Sequence, residues 1–105
     1  MHDRSRRSFA TLREFYDYYL GEHSNRTCRR LHFCGTSLAI AGAVSAAISG
    51  IGWLFAAGFV GAYGCAWIGH FYFERNSPAT FRYPLRSLAC DFLMFRDMLL
   101  GRIAF

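Results

Sequence analysis

Residues 67–81, WIGHFYFERNSPATF, carry two groups for which an apolar segment has no packing use. His70 and Glu74 are four residues apart, a spacing that sets imidazole and carboxylate on one face of a helix. Burying either without a partner is costly. Two more histidines, His23 and His32, sit just before and at the start of the other long apolar segment. Three neutral imidazoles, with or without the Glu74 carboxylate, form a borderline-soft nitrogen and oxygen set suited to Fe(II), Zn(II) or Mn(II). Two histidines and a carboxylate with open positions match non-haem Fe(II) oxygenases, whereas three histidines and a water also suit zinc. Donor types alone leave the metal open. Each histidine singly also reads as an interfacial residue, Glu74 beside Arg75 as a charged cap, and two histidines at matched depth as axial ligands of a haem. Their joint occurrence favours a site.

The elements that must position these groups are helical. Phe9, Leu12, Tyr16 and Tyr19 recur at three- and four-residue steps, the pattern of an amphipathic helix from Ser8 to about Leu20. Thr11 and Glu14 have capping-box spacing, Ser8 is an alternative start, and Gly21 is a plausible stop. Leu31–Ser49 and Ile51–Phe73 contain no Asp, Glu, Lys or Arg, and each approaches the roughly 20 residues that cross a bilayer core. Ser-Gly-Ile-Gly (49–52) between them reads as a tight turn. Gly42, Ala43, Ser45, Ala46, Gly58, Gly61 and Gly64 would let the two spans pack closely. After Pro78 and Pro84, the stripe Leu85, Leu88, Phe92, Phe95, Leu99 and Ile103 predicts a second amphipathic helix that lies on the interface or caps the hairpin.

A hairpin centred on Ile51 leaves His32 and His70 equally far from the turn, so the two imidazoles should share one depth. His23 and His32 would fall on opposite sides of one continuous helix. They converge only if the chain bends between them, and Ser24-Asn25 is the expected bend. Asn25 and Asn76 read either as groups that orient ligands or as helix terminators. Asp91 and Asp97 read as partners of Arg96 or Arg102, or as residues facing the site.

The 105 residues make one domain, with 1–7 a disordered basic arm and 8–105 a single membrane domain. The fold class expected is all-α, an integral membrane helical hairpin with spans at about 31–49 and 51–73, flanked by N- and C-terminal amphipathic helices. The net charge of +5 rests on arginine, since lysine is absent. Arg26, Arg29 and Arg30 precede the first span, and Arg75, Arg82 and Arg86 follow the second, so the positive-inside tendency puts both termini in the cytoplasm. The membrane would be the inner membrane of a bacterium or the endoplasmic reticulum of a eukaryote. No cleavable signal peptide is expected. The basic residues flank apolar spans and no nucleic-acid motif appears, so nucleic acid is not an expected partner. Cys28, Cys34, Cys65 and Cys90 form no CxxC pair and read as small hydrophobes, and the spacing of Cys28, His32 and Cys34 is wrong for a zinc knuckle.

YLGEHSNRTCRRLHFCGT (19–36), WIGHFYFERNSPATFRYPLRSL (67–88) and DFLMFRDML (91–99) together resemble the Mpo1-like family, formerly a domain of unknown function. The characterised yeast member is an Fe(II)-dependent dioxygenase of the endoplasmic reticulum. It carries out α-oxidation of 2-hydroxy fatty acids, leaving a fatty acid one carbon shorter. The resemblance implies the same reaction here, with a 2-hydroxy fatty acid and O₂ as substrates, the lipid bilayer as surroundings and Fe(II) as cofactor. The positions that match the family's histidine motifs are His23, His32 and His70. Glu74 is then expected as a further ligand or a catalytic base, and Arg29, Arg75 or Arg82 as the group that attracts the carboxylate. The short hairpin turn leaves out the longer inter-span region of the yeast-type proteins. Two helices make a poor cage, so a homodimer is a further expectation. The competing class is a non-catalytic membrane interaction or assembly protein, or a membrane protein that binds a metal or haem without catalysis.

Overall fold

The computed structural model describes residues 9–77 and 81–105. The basic arm, Ser8 and Pro78 lie outside the described residues. Among those described there is no strand, and four α-helices follow one another: α1 (Leu12–Gly21), α2 (Arg26–Ser49), α3 (Trp53–Ile68) and α4 (Pro84–Leu99). A six-residue π-helical turn, Gly69–Glu74, extends α3. The second span therefore begins two residues later than its apolar run and changes helical type at Gly69.

Local chemistry sets the boundaries. The Thr11 hydroxyl accepts the Glu14 N–H at 3.2 Å, and the Glu14 carboxylate accepts the Ala10 N–H at 2.8 Å. This reciprocal cap starts α1 at Leu12 rather than at Ser8. Asn25 caps α2, its Oδ1 accepting the N–H groups of Thr27 (2.9 Å) and Cys28 (3.2 Å). The break between α1 and α2 thus falls at residues 22–25, where the bend was expected. Gly50 ends α2 in the left-handed conformation (φ 75°), which glycine adopts without steric cost.

α2 and α3 form the hairpin, and their backbones touch. A methyl group at Gly42 would lie 2.6 Å from the Leu54 carbonyl oxygen and 2.9 Å from the Gly58 Cα. One at Gly58 would lie 2.7 Å from the Leu38 carbonyl oxygen. A methyl group at Gly64 would meet nothing within 4 Å, whereas one at Gly35 would lie 2.8 Å from the Ala62 carbonyl oxygen, so the close approach runs through Gly35, Gly42 and Gly58 and does not include Gly64. The segments Arg26–Ser49 and Trp53–Glu74 are both long and apolar enough to cross a membrane. Ile48, Trp53, Val60 and Tyr72 on these segments are exposed.

The amphipathic helices α1 and α4 pack on each other through Phe15, Tyr19, Cys90, Met94 and Met98, and α4 also packs on α2. Tyr16 donates to Asp97 Oδ2 at 2.7 Å, while Arg96 and Arg102 approach Oδ1 at 2.9 and 3.6 Å. Asp97 is thus committed to the structure. The hydroxyl and the two cations hold its carboxyl below the ordinary value. This pair of helices closes the wide end of the hairpin from within one chain.

Candidate metal centre

Each of the three histidines comes from a different element. His23 follows α1 in the loop, its ring stacked on Tyr19 with centroids 4.0 Å apart. His32 lies in the second turn of α2, and His70 in the π-helical turn. A π turn inside a longer helix frequently marks a functional position. The ring centroids are 4.3 Å (His23–His32), 4.4 Å (His23–His70) and 5.0 Å (His32–His70) apart. None of the three is more than 5% exposed. The matched depth expected of His32 and His70 is present, and His23 closes the triangle. Rings this close leave no room for a macrocycle between two of them, which removes the haem alternative.

Hydrogen bonds at the opposite ring nitrogens fix what the triangle offers. His23 Nδ1 lies 2.7 Å from the Tyr19 carbonyl oxygen, and His32 Nδ1 lies 3.1 Å from the Cys28 carbonyl oxygen. A carbonyl only accepts, so both rings carry their proton on Nδ1. His70 Nδ1 lies 2.7 Å from Asn76 Oδ1, and Asn76 Nδ2 donates to the Glu22 carbonyl at 3.1 Å. The amide orientation thereby makes Oδ1 an acceptor and places the third proton on Nδ1 as well. All three Nε2 atoms are left as lone pairs. This is the arrangement in which histidine ligands are oriented by their outer nitrogens.

Two of those lone pairs, His23 Nε2 and His32 Nε2, stand 3.0 Å apart with no proton to share. Protonating one ring would relieve the repulsion. Burial, followed by His32 and His70, instead holds the His23 imidazole well below its ordinary value, so it stays neutral. A cation bound between the two nitrogens would resolve the contact. Nitrogens bonded to one metal at about 2.1 Å are roughly 3.0–3.4 Å apart for angles between about 90° and 110°, and the observed separation falls at the near end of that range. The donor set fits a divalent transition metal.

Cys28 is the fourth member of the buried group, whose ligand atoms all lie within 4.8 Å of one another. Its sulfur contacts His32 Nδ1 at 3.8 Å, the nitrogen committed to the Cys28 carbonyl, and Gly69 packs against it. Spacing makes Cys28 a small hydrophobe; the fold sets it beside the three imidazoles. Cys34 is exposed and does not join the group.

Glu74 lies outside that group. Its Oε1 accepts the Asn25 N–H and its Oε2 the Ser24 hydroxyl, at 3.2 Å for the latter. Expected beside the metal, the carboxylate instead latches the end of the π turn to the start of α2. Asn25 is spent as the α2 cap, whereas Asn76 holds His70. Arg29 Nη1 donates to the carbonyls of His23 (3.2 Å) and Ser24 (2.8 Å), and its buried Nε has no hydrogen-bond partner among the described residues. Arg75 and Arg82 are exposed, Arg75 in the left-handed conformation (φ 58°) that ends the π turn.

A narrow cavity of about 30 Å³ runs from His32 between the hairpin and α4, walled by Ala39, Phe59, Ala62, Ala66, Leu88 and Phe92. Thr36, Tyr63 and Asp91 supply its other polar groups. Phe59 and Tyr63 also line an open apolar groove on the outer side of α3, with Val60, Gly64, Trp67 and Phe81. Spacing left Asp91 undecided between an arginine partner and the site. It accepts the Tyr19 hydroxyl and faces the cavity. Nothing in the local sequence pairs those two residues, which meet only through the packing of α1 on α4.

Residues 9–103 match the family model described as 2-hydroxy-palmitic acid dioxygenase Mpo1-like, so the chain belongs to the Mpo1-like family. No curated protein and no solved structure matches it.

Proposed function

We propose that this member of the Mpo1-like family is an Fe(II)-dependent dioxygenase that removes one carbon from 2-hydroxy fatty acids. One observation carries the reading: three buried imidazoles bring their ligand atoms within 4.8 Å of one another, with His32 also lining an apolar cavity. His23, His32 and His70 would hold the metal, with Cys28 flanking them. Iron held by these residues would supply an open coordination site and the redox chemistry for O₂ and a 2-hydroxy acid. The reaction balances without a further reductant: O₂ takes four electrons from C1 and C2, the C1–C2 bond breaks, and the products are the shorter acid, CO₂ and water.

The chain's own residues do the rest. The Tyr19 and Cys28 carbonyls and Asn76 keep each Nδ1 proton in place, so the ring nitrogens facing the cavity stay unprotonated. The cavity at His32 receives the C1–C2 end, and the alkyl tail leaves past Phe59 and Tyr63 along the groove on α3. That groove faces the bilayer if the hairpin spans it, with both termini cytoplasmic, and the tail then never leaves an apolar phase. Leu88 and Phe92 of α4 cover the reacting end against water. Arg29, whose guanidinium lies beside the His23 loop, attracts the substrate carboxylate, while Arg75 and Arg82 contribute positive charge to the rim.

Anaerobic loading with Fe(II), followed by O₂ and 2-hydroxyhexadecanoate, tests this directly by mass spectrometry. A 15-carbon acid that disappears in His70→Ala is the expected result. No shortened acid from folded, iron-loaded protein would overturn the assignment.

A further inference from the structure

Asp91 has no role in the three-histidine centre, yet its position is unusual. It lines the cavity that begins at His32, among side chains that are mostly alanine, leucine and phenylalanine. Asp97, six residues on, has a tyrosine and two arginines; Asp91 has only the Tyr19 hydroxyl among the described residues, on Oδ1. Among the described residues neither cation nor second donor meets it, and burial pushes its carboxyl up to about 6. Such a carboxylate is costly in an apolar wall unless a ligand brings a donor to it. A fatty acid's own carboxylate would be repelled there. A hydroxyl would be welcomed.

We infer that Asp91 accepts the hydrogen bond of the C2 hydroxyl of a bound 2-hydroxy fatty acid, and so selects hydroxylated acids over 2-oxo and unsubstituted ones. This rests on the dioxygenase reading and adds to it a specificity residue on α4. A metal held by the three histidines would accept both the 2-hydroxy and the 2-oxo acid, so it would separate these two poorly. Only the former has an O–H to donate. Asp91 supplies the acceptor that turns this difference into affinity. Tyr19 keeps Oδ1 occupied, which directs the second oxygen to the ligand.

The test compares hexadecanoate, 2-hydroxyhexadecanoate and 2-oxohexadecanoate as competitors of a fluorescent fatty acid. Full-length protein in detergent is loaded with Zn(II), so that binding is read without turnover. The wild type should bind the 2-hydroxy acid roughly 10- to 100-fold tighter than the 2-oxo acid, the worth of a hydrogen bond to a charged acceptor. Asp91→Asn, whose amide can donate to a keto oxygen, should close that gap to within about threefold with zinc content unchanged; Asp91→Glu should keep most of it. A gap that persists in Asp91→Asn, or equal binding of the two acids by the wild type, overturns the inference. Loss of zinc in Asp91→Asn would also overturn it, by making the residue a support of the metal centre. Those failures leave wild-type binding and turnover of the 2-hydroxy acid intact. If none of the three acids displaces the probe from the wild type, the dioxygenase reading falls and takes this inference with it.

Discussion

Replacing Gly69 with alanine should weaken metal binding without touching any ligand. A Cβ at Gly69 would stand 2.9 Å from the Cys28 sulfur and 3.2 Å from the Cys28 Cα, where ordinary contact begins at 3.4 Å. Relief requires the π turn and the start of α2 to separate by about half an ångström. Gly69 adjoins His70, and Cys28 lies one helical turn before His32, so the separation opens the triangle between those two rings. Disturbing the groups that orient a metal ligand lowers affinity by roughly 10- to 100-fold, which is about 1.4–2.7 kcal/mol. Competition with a chromophoric chelator for Zn(II) measures it. Adding Cys28→Ala to Gly69→Ala removes the shorter clash and should recover most of the loss. Gly64→Ala, with open space at its Cβ, should bind like the wild type. Unchanged affinity in folded Gly69→Ala protein would refute the claim that this contact sets the separation of His32 and His70.

Other consequences follow from the same contacts. Asn76→Leu leaves the His70 Nδ1 proton without its acceptor and should cost about 10- to 100-fold in zinc affinity, whereas Asn76→Asp, which retains the acceptor, should lose less; the chelator competition reads both. Gly58→Val forces a side chain against the Leu38 carbonyl and should destabilise the hairpin by about 1–3 kcal/mol, seen as a lower unfolding midpoint in detergent. For the metal-free protein, His23 has a folded pKa below its unfolded value of about 6.5, so the unfolded chain takes up the proton first as pH falls. Its contribution to stability is intact above that value and is lost progressively below it. Asp91 works in the opposite sense: folded near 6 against 3.8 unfolded, it favours the fold below 3.8 and loses that contribution as pH rises through 6. Denaturation of metal-free Asp91→Asn from pH 5 to 8 should therefore show a steeper rise with pH than the wild type, and a flat profile would contradict the buried, neutral state of His23.

Much of this site could be read from residue spacing because its parts are tied to local rules. Apolar runs and a glycine turn define the hairpin, and equal distance from Ile51 brings His32 and His70 to one depth. The nine-residue step from His23 to His32 demands a bend, which Asn25 supplies as a cap. What escaped depends on tertiary packing or on a change of helix type. Tyr19 and Asp91 are 72 residues apart and meet only because α1 and α4 share a core. The pairing of His70 with Glu74 assumed an α-helical register, but the chain widens into a π turn at Gly69, and the unpaired Asn25 N–H draws the carboxylate.

X-ray absorption at the iron edge of anaerobically loaded protein is the most direct test of the three-imidazole centre. The account predicts about one Fe(II) per chain, scattering from three imidazoles with oxygen in the remaining positions, and loss of binding in His23→Ala, His32→Ala and His70→Ala alike. Iron that binds through sulfur, or that remains after two of the three histidines are removed, would contradict it.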